Sequence, residues 1–394
     1  MSTPITGRAD FQKATRRSFL KTAGAAVMTA AVGPTILHAT DKSCSRAPIL
    51  GTGGFQYEPV HGWGELPSHV VWGETHGVAI DEQGLIYIKH RSRVPEPIDA
   101  IVVFDPQGRF VRSFGKEYHG GGHGIDIRKE NGEEFLYLSD VKNGIVAKST
   151  LKGEVIWRMG RPEEPGIYKD KQNRYSPTNL AFGPDGGFYV GDGYGSHFIH
   201  QYDKNAQLVR TWGGKGSEPG KLSTPHGIWL DDRPGRLGPG ASSFWKEAVC
   251  CYDVAGGAPL KVSYNEPTLV VADRANARLQ YFTLDGKHIG FVKDVSFPAD
   301  IDIRGDIMLV PDLHARVTLF DKNNQVITHL GYDPQWTKKV LERDDGGFMV
   351  RRDPSAWPAG RFIHPHDACF DHDGNIFVAE WVPTGRLSLL KKVS

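Results

Sequence analysis

The chain has 394 residues, of which 47 are Gly and 25 Pro, 39% are hydrophobic and 24% charged, a composition that excludes a disordered tail protein and a disulfide-dense miniprotein. Forty-seven basic against 46 acidic side chains leave a formal charge of +1, so no electrostatic excess points to nucleic acid or an anionic membrane as partner. The length allows two or three domains or one large all-β domain, and the glycine content with its frequent turn dipeptides favours the second.

From the N-terminus, Arg16-Arg17-Ser18-Phe19-Leu20-Lys21 precedes an Ala-rich apolar run from Ala23 to Val32. Paired arginines before such a run read as a twin-arginine export signal, and the run is shorter and weaker than the ~20 apolar residues that span a bilayer. Residues 1–39 are therefore expected to be a signal peptide cleaved near Ala39. Residues 40–394 remain as the folded domain, exported to the periplasm or the exterior with no stable membrane span. Four cysteines follow, Cys44, Cys250, Cys251 and Cys369, and none of their spacings matches a thiolate metal site.

Beyond the signal one pattern recurs six times: a His or Pro-X step, an apolar alternation, a DG-like turn and a second apolar strand. The copies are THGVAIDEQGLIYIKHR from Thr75, GHGIDIRKENGEEFLYLSD from Gly122, PTNLAFGPDGGFYVGDGY from Pro177, PHGIWLDD from Pro225 with its second strand delayed to TLVVADR, PADIDIRGDIMLVPD from Pro298, and PHDACFDHDGNIFVAE from Pro365. Most continue into two further short strands around another turn, as in IVVFDPQGRFVRSFG and HQYDKNAQLVRTWGG. This predicts an all-β fold, a six-bladed β-propeller with blades starting near His76, His123, Thr178, His226, Ala299 and His366. Two insertions, Asp232–Glu266 and Gly331–Ile363, lengthen the fourth and fifth repeats. The last repeat carries about three strands, so a stretch near Tyr57–Gly64 is expected to complete that blade and close the ring, removing exposed edges.

At the point where each innermost strand begins, repeats two, four and six carry histidine. In a six-bladed ring these lie about 120° apart, so His123, His226 and His366 are expected to converge on the axis as three nitrogen ligands with coordination left open, as catalytic zinc requires. His76 breaks the threefold pattern and is read as a supporting residue. The second strand runs antiparallel and ends on the same face, where the sequence places Arg91, Tyr194 and Arg274 beside a recurrent acid read as structural. Two guanidinium groups suit a carboxylate, and a tyrosine can move a proton, so the site is expected to take a small-molecule or peptide substrate bearing a carboxylate.

The stretches HGIDI, DGYGSHFIHQYDKNAQLVRTWG, PHGIWL, VADRANARLQYF and HPHDACFDHDGNIFVAE resemble the peptidyl-α-hydroxyglycine α-amidating lyases, relatives of the NHL-repeat propellers, over most of residues 70–385. The resemblance implies zinc on His123, His226 and His366, a catalytic Tyr194, and Arg91 and Arg274 as substrate-binding residues. It also implies a calcium near the axis at Asp367, Val78 and Ile125. The implied reaction cleaves the carbon–nitrogen bond of an α-hydroxyglycine to an amide and glyoxylate, Tyr194 taking the hydroxyl proton. Two cysteines frequent in that family are replaced here by Gly195 and Tyr281. A non-catalytic NHL-type propeller binding a peptide, glycan or protein, and a metal enzyme acting on another α-hydroxy acid derivative, are the alternatives.

Overall fold

Apolar strands and Asp-led turns alternate along the chain and assemble into six antiparallel sheets in the computed structural model, which describes residues 48–164, 166–233 and 266–393. The expected signal peptide, Cys44, Cys250, Cys251 and most of the insertion in the fourth repeat lie outside the described residues. Among the described residues Cys369 is a free thiol, and no helix is long and apolar enough to cross a membrane.

Blade 1 runs outward through Glu74–Ile80, Ile86–Arg91, Ile101–Phe104 and Phe110–Phe114, and blades 2 to 5 repeat that four-stranded order. Blade 6 differs. Its strands Pro365–Phe370, Ile376–Glu380 and Arg386–Lys392 are joined by Phe55–His61, which pairs antiparallel with Arg386–Lys392, and then by Leu50–Thr52. The expected closure by the N-terminal stretch is thus made, with one more strand than the sequence suggested. It couples the two ends of the domain and leaves the ring with no unpaired radial edge at its seam.

Six of the core clusters sit between neighbouring blades, one at each junction. Val270, Ala272, Met308 and Val310 join blades 4 and 5, for example, and Val78, Ile88, Phe377 and Leu389 join blades 6 and 1. Each sheet therefore buries both faces, which is why the middle strand Ile101–Phe104 and the central residues 269–272 of the strand Thr268–Asp273 are apolar throughout, with each of these residues essentially inaccessible. Outermost strands such as Val155–Met159 alternate between half-buried and exposed.

The turns follow from one recurring side chain. Asp81, Asp105, Asp203, Asp321 and Asp371 each accept hydrogen bonds on Oδ1 from the backbone N–H groups two and four residues on. The residue three positions after the Asp must adopt positive φ. Gly84, Gly108 and Gly374 do so freely, whereas Ala206 and Asn324 accept the left-handed conformation at φ 60° and 59°.

The insertion 331–363 forms the helix α1 (Pro334–Leu341) and a short hairpin of Arg343–Asp344 with Gly347–Phe348. Asp333 caps α1 by accepting from Trp336 N at 2.9 Å, and Pro334 supplies the fixed φ of a first helical residue. Trp336 and Val340 pack with Val350, Ile363 and Val382, fastening the insertion onto the face where the axial histidines lie.

Candidate metal centre

Each axial histidine stands in a β-bulge. The pairing of the first and second strands skips at His76, at His123-Gly124, at His226-Gly227 and at His366, so these residues leave the pleat and turn toward the axis instead of into a blade junction. A glycine follows His76, His123 and His226 and allows the close approach, whereas Asp367 follows His366. A Cβ on Gly124 would lie 2.6 Å from Thr178 O, and one on Gly227 would lie 2.5 Å from Asp300 Cα.

The three expected ligands meet. Ring centroids of His123, His226 and His366 are 4.5, 4.9 and 4.7 Å apart pairwise, and one nitrogen from each lies within 4.8 Å of the others. Their Nδ1 atoms face carbonyl oxygens of the next blade: Thr178 O at 2.7 Å, Ala299 O at 2.5 Å and His76 O at 2.8 Å. A carbonyl can only accept, so Nδ1 carries the proton and each Nε2 presents a lone pair to the axis. Burial is the largest influence on all three, pushing His123 and His226 well below the ordinary imidazole range and His366 to about 3.

Three lone pairs then face too few protons. Tyr194 Oη lies 2.9 Å from His226 Nε2 and 3.3 Å from His123 Nε2, and its single O–H can satisfy one of them. His366 Nε2 is buried with no hydrogen-bond partner among the described residues. A divalent cation would satisfy all three at once, so the donor set fits a metal with open coordination. His76 stands apart from this set. Its Nδ1 donates to Glu74 O at 2.9 Å, and its own carbonyl orients His366.

Over the histidines opens a cavity of about 520 Å³ that includes Arg91, Tyr194 and Arg274 in its wall. The expected substrate residues are therefore brought to the same place as the triad. Arg274 lies between the rings of Tyr194 and Phe297, with centroids 5.1 and 5.0 Å from its guanidinium carbon, and donates from Nη1 to Tyr194 Oη at 3.2 Å. Arg91 is already engaged. Its Nε and Nη2 both donate to Glu74 Oε2, at 3.1 and 2.9 Å, so it presents its remaining edge to the cavity.

Glu74 had no signal in the repeat pattern. Its carboxylate also accepts from Arg351 at 2.6 Å and Arg93 at 3.1 Å. Burial works to raise its pKa, and the hydrogen bonds and charges of Arg351 and Arg91 outweigh it, holding the group below the usual range. Arg351, Arg343, Leu341 and Phe348 come from the insertion, whose length was visible in the sequence and whose contribution to the cavity was not. The repeat pattern gives no signal at His364 either, which stands two residues before the repeat position of His366. It lines the same cavity, and burial, the largest cause, pushes it down to about 4.

The recurrent acid at the second strand's end is structural, as expected. Asp192 accepts from Ser176 N and Ser196 N, both at 2.6 Å, and Glu380 accepts from Ile363 N at 2.6 Å, tying each strand end to an adjoining loop. The two positions that depart from the resembled family have local explanations. A Cβ at Gly195 would stand 1.9 Å from Asp192 Oδ1, and Tyr281 donates to Asp231 Oδ2 at 3.0 Å in a buried group with Arg233.

Further along the axis, Val78 and Asp367 line a smaller cavity of about 130 Å³ with Asp126, Asp300 and Asp302. Asp367 accepts from Val78 N at 2.8 Å, and Ile125 is buried next to Asp126. Burial raises all four carboxyl groups, Asp367 and Asp302 to about 6, and the neighbouring acids raise Asp126 and Asp300 further. Of these acids, the family resemblance implies only Asp367 as a calcium ligand.

No protein-family model matches the chain. The chain is 25% identical to the peptidyl-glycine alpha-amidating monooxygenase of Mus musculus over 356 residues, covering 83% of this chain and 31% of the mouse protein. It is 26% identical over 147 residues to peptidyl-alpha-hydroxyglycine alpha-amidating lyase 1 of Drosophila melanogaster, covering 36% of this chain and 25% of that protein. It thus spans less than a third of these relatives' length. Among solved structures, a gluconolactonase of Xanthomonas campestris superposes with a TM-score of 0.51 at 12% identity, covering 88% of this chain and 95% of that one, a likeness of fold. The six blades and these matches together support an amidating-lyase-like β-propeller.

Proposed function

We propose that the protein is a zinc-dependent lyase that cleaves the carbon–nitrogen bond of an α-hydroxyglycine-type substrate, yielding an amide and glyoxylate, and that it acts outside the cytoplasm after twin-arginine export. The observation that carries this reading is the convergence of three Nε2 lone pairs beside one tyrosine hydroxyl and two guanidinium groups in a single cavity. His123, His226 and His366 would hold the zinc, which when bound would supply Lewis-acid polarisation of the substrate's hydroxyl oxygen.

The chain's own residues do the rest. Arg274 and Arg91 receive the substrate carboxylate, the fragment that leaves as glyoxylate, and Glu74 holds Arg91 in place. Tyr194, on the axis side of Arg274, takes the hydroxyl proton. The electron pair released forms the aldehyde carbonyl as the carbon–nitrogen bond breaks, and the amide nitrogen gains a proton in return, so no co-reactant is consumed. The mostly apolar remainder of the cavity excludes water and strengthens these charged contacts. Calcium at Asp367 is proposed with it, supported by four carboxyl groups around the channel, two of them on the buried residues Asp300 and Asp367, and by Asp126 Oδ2, which has no partner among the described residues. One carboxylate with the Val78 and Ile125 carbonyls would need further oxygen ligands, which these acids offer.

Glyoxylate release from α-hydroxyhippurate tests the reading. The metal-loaded protein is expected to turn it over, chelation to abolish the activity and zinc to restore it. A protein that binds no stoichiometric metal, or one whose metal has no effect on turnover, overturns it.

A further inference from the structure

His364 stands on the cavity wall, 1% exposed. Its Nδ1 lies 2.7 Å from the carbonyl oxygen of Leu313, which fixes the proton on Nδ1 and leaves a lone pair on Nε2. That Nε2 is buried with no hydrogen-bond partner among the described residues. Arg343 stacks on Phe348 at 3.8 Å and Arg351 on Trp381 at 3.7 Å. Around the unpaired acceptor the surfaces are flat and apolar. The Phe348 ring is 4.7 Å from His364 and the Trp381 ring 5.5 Å, with Leu341 and Phe297 in the same wall.

A buried acceptor left unpaired costs stability unless something donates to it. The groups beside it are the rings of Phe348 and Trp381, the second with its own indole N–H unpaired among the described residues, and arginines turned onto those rings, and none of them donates to His364 Nε2. The missing donor is therefore best supplied by a ligand that brings an N–H into the cavity together with an apolar, planar group. We infer that His364 is a specificity-determining residue that accepts a hydrogen bond from the substrate's amide N–H, and that Phe348 and Trp381 beside it receive an aromatic or bulky apolar acyl group. The inference rests on the lyase reading for the orientation of the substrate, carboxylate toward Arg274 and acyl group toward the insertion. It adds the substrate class, an N-acyl α-hydroxyglycine whose acyl part is large and apolar, in place of a small acetyl derivative.

Equilibrium binding separates this inference from the chemistry. The probes are hippurate, which carries the benzoyl group and the N–H but has no hydroxyl to react, its N-methyl derivative, and acetylglycine, each titrated calorimetrically into the full-length, zinc-loaded protein. The wild type is expected to bind hippurate about tenfold or more tightly than either of the other two. His364→Leu is expected to bring hippurate and N-methylhippurate within about twofold of each other, and His364→Gln, which keeps an acceptor, to recover part of the preference. Phe348→Ala is expected to narrow the gap between hippurate and acetylglycine. Equal binding of hippurate and N-methylhippurate by the wild type, no binding of hippurate, or a preference that survives in His364→Leu overturns the inference. Should His364→Leu fail to fold, the wild-type comparison and His364→Gln decide it. Glyoxylate release is read separately: preference without turnover removes the lyase reading and leaves this one, and turnover without preference does the reverse.

Discussion

The Nδ1 of His366 lies 2.8 Å from the carbonyl oxygen of His76, so a residue outside the ligand set fixes the tautomer of one within it. The same bond recurs from His123 to Thr178 and from His226 to Ala299. Even-numbered blades thus supply the imidazoles and odd-numbered blades the carbonyls that orient them. Because the acceptors are backbone, the ring itself holds the geometry, and side-chain substitution at positions 76, 178 or 299 leaves the acceptor in place.

Removing one imidazole tests the triad. His226→Ala is expected to lower metal affinity by more than ~100-fold, beyond what losing an orienting partner costs, with the strand content unchanged because the blade junctions are untouched. Metal content by elemental analysis and far-ultraviolet circular dichroism give the two readouts. Unfolding of the variant would assign His226 to the core.

Tyr194→Phe separates proton transfer from metal binding. Turnover is expected to fall by ~10²- to 10⁴-fold while stoichiometric metal is retained, since the phenol ring and its stacking with Arg274 persist. A variant with wild-type kcat would exclude the hydroxyl from the chemistry.

Metal retention against pH follows from burial. Imidazole ligands must be neutral to bind, and those held far below the ordinary value of 6.5, His366 at about 3, stay neutral through mildly acidic solution. The affinity is therefore full at neutral pH and declines only as protons compete near the lowered values. Dialysis at pH 7.5 and 5.5 is expected to leave the same metal content. Loss centred near pH 6.5 would mean that the rings titrate as exposed histidines do.

Glu74→Gln probes the arginine cluster. The carboxylate is 5% exposed and binds Arg91, Arg93 and Arg351, so its loss leaves three guanidinium groups facing one another. Stability is expected to fall by about 3 kcal/mol, and KM for a carboxylate substrate to rise more than kcat falls as Arg91 loses its anchor. Denaturant unfolding with steady-state kinetics measures both; unchanged values in each would make the cluster dispensable.

The ring closure has its own test. Deleting residues 1–62 removes Phe55–His61 and exposes the edge of Arg386–Lys392. The truncated protein is expected to be insoluble or to melt well below the full chain, because the seam cluster of Leu50, Tyr57, Leu330 and Leu390 is lost with the strand. A truncated form with an unaltered melting temperature would show that the seam is not needed.

Much of the architecture could be read from local pattern. An apolar strand buried on both faces and an Asp whose carboxylate ties the next turn are short-range features, so IVVFDPQG and CFDHDGNIF announce strand, turn and strand wherever they occur. Histidines at matched phase in alternate repeats then imply convergence by symmetry alone. Arg91, Tyr194 and Arg274 were legible for the same reason, since strand direction assigns their ends to one face.

Glu74, His364 and the acids Asp126, Asp300 and Asp302 lay outside that pattern, because their roles depend on what a neighbouring blade or the insertion brings against them. The sequence by itself determined the number of blades, the turn chemistry and the residues that face the axis, all set by repeating local stereochemistry. Only the tertiary structure decided the bulges that aim the imidazoles, the carbonyls that fix their tautomers and the wall that the insertion builds over them. Those depend on distances between segments far apart in the chain, and no local preference encodes such distances.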